Sequence, residues 1–289
     1  MTTEPTFPGL ELLAQHRCHA GWQRFYRHTS SAIGLPMKFA AFVPDSAGPG
    51  PSPALFYLAG LTCTEETFPI KAGAQRAASD QGIVLIAPDT SPRGAGVAGE
   101  DDAWDFGTGA GFYLDATEPL WRDHYRMSTY ITEELFALSI GALGVDAQRV
   151  GIFGHSMGGH GALVLALRSP QKFRSVSAFA PIAAPMQCPW GKKAFSGYLG
   201  ADTAQWAQWD ASALMRQAKR PFPHGILIDQ GLGDSFLEEQ LYPDVFEQAC
   251  VVAGQPLELR RHEGFDHGYY FISTFMDDHI RFHAQQLGA

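Results

Sequence analysis

The apolar positions of this chain fall into short runs of strand length, separated by stretches whose apolar residues recur at helical spacing. Residues 54–58, 83–87, 176–179 and 226–229 are nearly continuous apolar runs, Val150, Ile152 and Phe153 mark another, and 257–261 reads as the last strand. Between and after them, the spacing predicts helices over 70–81, 125–143, 237–252 and 270–285, the last with Ile272, Phe275, Met276 and Phe282 on one face. Strand, helix and strand in alternation with short connections imply a parallel sheet. Nearer the N-terminus, 20–29 and 37–43 mix aromatic and β-favouring residues with polar ones around a turn at 31–36, which predicts an antiparallel pair. The expected fold is α/β, with a mostly parallel central sheet of about eight strands and helices on both faces.

Two stretches interrupt the alternation. Residues 88–119 are rich in Gly and Asp and carry Trp104, Phe106, Phe112 and Tyr113; residues 181–224 contain Cys188-Pro189-Trp190-Gly191-Lys192-Lys193. Loops this long inside a compact domain are usually functional. Residues 45–53, rich in Pro, Gly and Ser, read as a surface loop and not a linker, because the next strand continues the same alternation. With no internal repeat, residues 1–289 read as a single domain.

One junction stands out. The strand at Val150, Ile152 and Phe153 runs into Gly154-His155-Ser156-Met157-Gly158, and a helix follows through Ala162, Leu163, Leu165, Ala166 and Leu167. A serine between two glycines on so abrupt a strand-to-helix turn is the nucleophile-elbow pattern G-x-S-x-G: small flanks let strand and helix approach while the hydroxyl stands clear of the sheet edge. The pentapeptide alone also suits plain packing. Its strand and helix context favours the hydrolase reading, and with it an α/β-hydrolase fold for the expected sheet and helices.

That reading requires an acid and a base in the order Ser, acid, His. Asp229 and Asp234 both follow the 226–229 run; Asp234 is the better placed, in the loop beyond the strand, and Asp229 at the strand end is the alternative. Of the histidines after the acid, His279 and His283 fall inside the last helix and His262 borders the last strand. His267 is left as the base, 33 residues past Asp234. A serine hydroxyl is a weak nucleophile until a neutral imidazole takes its proton, and a buried carboxylate fixes the tautomer and stabilises the imidazolium. Charge on the tetrahedral intermediate needs fixed donors, expected from the backbone N–H groups of Met157 and, in the 59–64 loop, Leu61.

Composition narrows the classes. Hydrophobic residues make up 45% and charged residues 18% of the chain, the balance of a globular enzyme, and the net charge of −9 argues against nucleic acid or an anionic membrane as partner. The four cysteines form no C-x-x-C pair and read as free thiols of a reducing compartment. Residues 1–20 lack a continuous apolar leader, being broken by Glu4, Pro8 and Glu11, and no run of eighteen apolar residues follows. The expectation is a cytoplasmic protein without membrane attachment.

Three features compete for attention. Residues 94–99 match G-x-G-x-x-G, but no helix opens at Glu100-Asp101-Asp102, so no dinucleotide cofactor is expected. Glu100, Asp101, Asp102 and Asp105 lack calcium-loop spacing and read as a solvated acidic loop; no metal is expected. Cys63 lies two residues past Leu61 and reads as a small packing residue rather than a nucleophile, although a thiol there would block the site if modified. Trp104 and Trp190 fit core aromatics and pocket walls equally.

Several stretches together resemble the S-formylglutathione hydrolases, also called esterase D: Leu61-Thr62-Cys63-Thr64-Glu65-Glu66, residues 104–113, the elbow through Gly161, residues 188–200, Asp229-Gln230-Gly231 with Asp234, and Asp266-His267. The segments away from the triad are far more specific than G-x-S-x-G. The resemblance implies a cytosolic, cofactor-free and usually dimeric thioesterase that hydrolyses S-formylglutathione to glutathione and formate, with Ser156 as nucleophile, Asp234 as acid, His267 as base and Leu61 and Met157 as oxyanion donors. Around the base the chain has Phe265 and Gly268 where the family commonly has Tyr and Ser. For such a substrate, Lys192 and Lys193 are candidates to hold the anionic glutathione moiety, the plainer reading being two solvated lysines. The alternatives are a general carboxylesterase of the same fold, an acyltransferase, and a non-catalytic relative; the last lacks its usual mark, a missing triad member.

Overall fold

The computed structural model describes residues 9–46, 50–218 and 222–289. Nine strands form one sheet: β1 (Leu10–Arg17), β2 (Gly21–Thr29), β3 (Pro36–Pro44), β4 (Ser52–Leu58), β5 (Val84–Pro88), β6 (Val145–His155), β7 (Ser175–Phe179), β8 (Ile226–Gly231) and β9 (Leu257–His262). Their order across the sheet is β1-β2-β3-β5-β4-β6-β7-β8-β9. The β1–β2, β2–β3 and β3–β5 pairs are antiparallel and all the others parallel. From β4 the chain goes to β5 on one side and returns to β6 on the other, so the loops leaving β4 and β6 face each other across the crevice where ligands bind in sheets of this type.

Alternation along each strand sends side chains to opposite faces, and both are covered. On β4, Phe56 stacks on Phe136 of the Phe136–Leu143 helix (ring centroids 6.2 Å apart), while Tyr57 stacks on Phe68 of the Thr67–Lys71 helix at 3.8 Å. Phe153 of β6 shares the Tyr57 face and meets His279 and His283 of the Tyr269–Leu287 helix. Leu55 to Leu58 are all fully buried, as a central parallel strand requires.

The architecture matches the expected α/β class, with differences that have physical causes. The ninth strand is β1, an edge strand with most of its side chains exposed, so no buried stripe marks it in the sequence. The helix expected over 70–81 is two, Thr67–Lys71 and Gln75–Asp80, broken where Gly73 turns left-handed at φ +70°. That expected over 237–252 is split at Tyr242 (φ +53°), just before Pro243 opens the Pro243–Ala253 helix. The 181–224 excursion contains the helices Pro189–Leu199 and Ala211–Gln217, the first capped by Cys188 Sγ accepting the Gly191 N–H at 3.3 Å. Of the expected features, residues 1–8 of the N-terminal segment, 47–49 of the 45–53 loop and 219–221 of the second excursion lie outside the described residues. Among the described residues, no helix is long and apolar enough to cross a membrane.

Candidate active site

Ser156 sits between the end of β6 and the Met157–Arg168 helix with φ +57° and ψ −119°, a conformation uncommon outside glycine. The surroundings hold it there: its N–H donates to Phe179 O at 3.0 Å, and its carbonyl accepts from His160 N (3.0 Å) and Ile182 N (3.1 Å). The turn tolerates no side chain at Gly158, where an added Cβ would lie 1.9 Å from Leu58 O. As the first residue of the helix, Met157 has no intrahelical partner for its N–H.

The loop leaving β4 closes over the elbow. A Cβ on Gly60 would come within 3.2 Å of both Ser156 Cβ and His155 Nδ1, so backbone and nucleophile touch here. Thr62 N–H donates to Gly109 O at 2.9 Å and Cys63 N–H to Gly60 O at 3.3 Å, whereas no backbone carbonyl among the described residues receives the Leu61 N–H. Leu61, next to the Gly60 that approaches Ser156, and Met157, the residue after the serine, thus carry N–H groups with no backbone acceptor among the described residues.

The two candidate carboxylates have different partners. His267 Nδ1 donates to Asp234 Oδ2 at 2.5 Å, which leaves Nε2 free to accept a proton. Asp234 is itself set by Phe236 N–H (2.8 Å to Oδ1) and Gln230 Nε2 (3.4 Å). Asp229 is fully buried and occupied elsewhere: Arg260 grips both of its oxygens, His262 Nε2 lies 3.1 Å from Oδ1 and His279 Nε2 3.2 Å from Oδ2. Burial alone would raise the Asp229 carboxyl, but the bonds from His279 and Arg260 outweigh it and hold it well below the usual carboxylate range.

Comparison with known proteins identifies the family. The model of a family described as putative esterase matches residues 30–282. S-formylglutathione hydrolases of mouse and rat are 54% and 53% identical to the chain over 281 residues, covering 97% of it and 99% of either relative. The chain belongs to the S-formylglutathione hydrolase family. A solved S-formylglutathione hydrolase of Agrobacterium tumefaciens superposes with a TM-score of 0.93 at 49% identity, covering 96% of this chain and 99% of that one.

Around the triad candidates this esterase carries an aromatic wall. His267 packs edge-on against Phe236 (centroids 5.0 Å) and lies 4.4 Å from the ring of His155. Phe236 leans on Trp190 at 4.9 Å, and Trp190 meets Trp104 edge to face at 5.6 Å. Trp190 is nearly buried, with its backbone N–H donating to Gln240 Oε1 at 3.1 Å, while Trp104 is 58% exposed at the outer end of the row. Phe236 and His155 escaped the sequence reading: His155 lay in plain view inside the elbow motif, but nothing in a one-dimensional pattern signals ring contact with a residue 112 positions away.

The remaining candidates separate. Lys193 forms an ion pair with Asp105 and is engaged; Lys192, one residue away on the same helix, is exposed with no side-chain partner among the described residues. Cys63 is half-buried; burial pushes its thiol up, and its bonds with Thr67 and Tyr269 offset only part of this, so it stays protonated at neutral pH and is not an activated nucleophile. The G-x-G-x-x-G loop spends its amides on its own chain: Ala95 N–H and Gly96 N–H both donate to the buried Glu100 carboxylate, at 3.1 and 2.8 Å. A dinucleotide phosphate would have to displace that side chain.

Proposed function

We propose that the enzyme hydrolyses S-formylglutathione to glutathione and formate through a Ser156-His267-Asp234 triad. Ser156 Oγ attacks the formyl carbon while His267 Nε2 takes its proton, and Asp234 holds Nδ1–H and stabilises the imidazolium. The carbonyl oxygen, now negative, rests on the Leu61 and Met157 N–H groups. The C–S bond then breaks, glutathione leaves with the proton held by His267, and a water that gives its proton to the same nitrogen attacks the formyl-serine carbon; the C–Oγ bond breaks, His267 passes that proton to Ser156 Oγ, and formate is released.

The observation that carries this reading is the 2.5 Å His267–Asp234 bond beside a strained serine whose flanking amides are free for an oxyanion. The substrate rests on the relatives named above, and the Trp104–Trp190–Phe236 wall, with the exposed Lys192 two residues past Trp190, supports it as a bed for an extended anionic leaving group. The cytoplasmic location and the homodimer implied by the family belong to the same proposal; the free thiols of Cys18, Cys63, Cys188 and Cys250 favour a reducing compartment, and light scattering tests the dimer. Rapid quenching of the reaction followed by peptide mass spectrometry tests the mechanism. A formyl ester on the Ser156 peptide is expected, and a formyl group on Cys63 instead would overturn it.

A further inference from the structure

The long excursion between β5 and the Met127–Leu143 helical run is anchored to the loop that carries Leu61. Gly109 O accepts the Thr62 N–H at 2.9 Å; Thr90 Oγ1 and Arg93 Nη2 donate to Cys63 O at 2.6 and 3.1 Å; and the Tyr113 hydroxyl donates to Ala59 O at 2.8 Å. The first three contacts hold the far end of the loop. Tyr113 alone of the four acts on its near end, two residues before Leu61, where a Cβ on Gly158 would also meet Ala59 O at 2.6 Å. Its hydroxyl therefore reaches the seam between the β4 loop and the elbow helix.

Reaching that seam requires an unusual backbone. Phe112 and Tyr113 both lie in the left-handed region, at φ +49° and +53°, which bulky residues adopt only when their surroundings impose it. The Tyr113 ring occupies the space beside Gly161, where a Cβ would come within 2.5 Å of its Cδ2, and His160 Nε2 lies 3.1 Å from Phe112 O. Two successive residues of the elbow helix thus lock the segment that aims the hydroxyl. Tyr113 is 1% exposed and its hydroxyl has no other hydrogen-bond partner among the described residues.

We propose that Tyr113 is a positioning residue of the oxyanion hole, its buried hydroxyl fixing the Ala59 carbonyl so that the Leu61 N–H stays aimed at the reacting oxygen. The proposal rests on Leu61 and Met157 being the oxyanion donors. A donor matters most when negative charge has formed, so a loosened donor weakens binding of the transition state more than of the substrate.

Tyr113→Phe keeps the ring and removes only the hydroxyl. Its kcat on S-formylglutathione is expected to fall about 10- to 100-fold with KM within about twofold, because one loosened donor is a partial loss of an oxyanion contact. Affinity for an alkylboronic acid, which forms a tetrahedral adduct on a serine nucleophile, should fall with kcat. Tyr198→Phe is the comparison: its hydroxyl accepts Gly107 N–H (2.9 Å) and donates to Ala110 O (3.0 Å) on the same excursion without touching the β4 loop, so kcat should stay within about twofold. An unchanged kcat in Tyr113→Phe, a fall with boronic acid affinity intact, or an equal fall in Tyr198→Phe would each overturn the proposal. Boronic acid binding that survives Ser156→Ala would instead refute the triad reading beneath it.

Discussion

Arg260 holds Asp229 by both carboxylate oxygens, Nε to Oδ1 and Nη2 to Oδ2 at 2.6 Å each, and so withdraws it from the proposed catalytic set. Two carboxylates five residues apart thereby take different work. Asp229 joins β8 to β9 and, through His279, to the last helix; Asp234 faces His267. Asp234→Asn is expected to lower kcat by about 10³- to 10⁴-fold with stability little changed, because the imidazole loses its required tautomer. Asp229→Asn should keep kcat within about tenfold but cost roughly 1–3 kcal/mol of stability, the usual loss for buried charge-assisted hydrogen bonds, since Arg260 keeps its pair with Asp278. Steady-state rates and urea unfolding of the two variants separate these outcomes.

Gly60→Ala tests the contact between the β4 loop and the nucleophile. The new methyl group would press on Ser156 Cβ and His155 Nδ1 at 3.2 Å, and the buried elbow can yield only by shifting the serine. A displacement of a few tenths of an ångström should reduce kcat about tenfold without unfolding the protein. Circular dichroism alongside kinetics checks both halves of this expectation.

Lys192 and Lys193 are adjacent in sequence but differently engaged. Lys192→Ala is expected to raise KM for a glutathione thioester by about fivefold, the worth of roughly 1 kcal/mol from one exposed ion pair, and to leave KM for p-nitrophenyl acetate unchanged. Lys193→Ala, which loses only a partly exposed pair with Asp105, should change neither substrate's KM by more than about twofold. Equal effects of the two substitutions would reverse the assignment.

Four buried histidines tie stability to pH. Burial holds His155 and His283 well below the ordinary imidazole value, lowers His279, and brings His160 down to about 4. Each is therefore neutral in the folded protein while the unfolded chain binds a proton below about pH 6.5. Depressed folded values mean that their stability is fully present above that pH and is lost as pH falls from there toward the folded values. Urea midpoints measured from pH 7.5 to 4.5 should fall steadily below about pH 6.5. A flat profile would contradict this.

The proposed triad was legible because each member follows a strand in an order that the chemistry demands: Ser156 follows β6, Asp234 lies beyond β8, and His267 follows β9. The parallel strands were equally plain, since burial on both faces leaves continuous apolar runs such as 54–58. β1 was not legible, being exposed along most of its length, and neither was the helical content of 181–224, where Trp190, Phe195 and Tyr198 pack through tertiary contacts. The pairing of Lys193 with Asp105 and the reach of Tyr113 to Ala59 join residues 88 and 54 positions apart, distances over which local spacing says nothing.

The central claim is a serine thioesterase acting on S-formylglutathione, and the most direct measurement is kcat/KM for S-formylglutathione against p-nitrophenyl acetate, in the wild-type enzyme and in Ser156→Ala. A preference for the thioester of several orders of magnitude, with both activities lost in the variant, is the predicted result. Comparable low rates on the two substrates would point instead to a general carboxylesterase, and activity surviving in Ser156→Ala would contradict the mechanism.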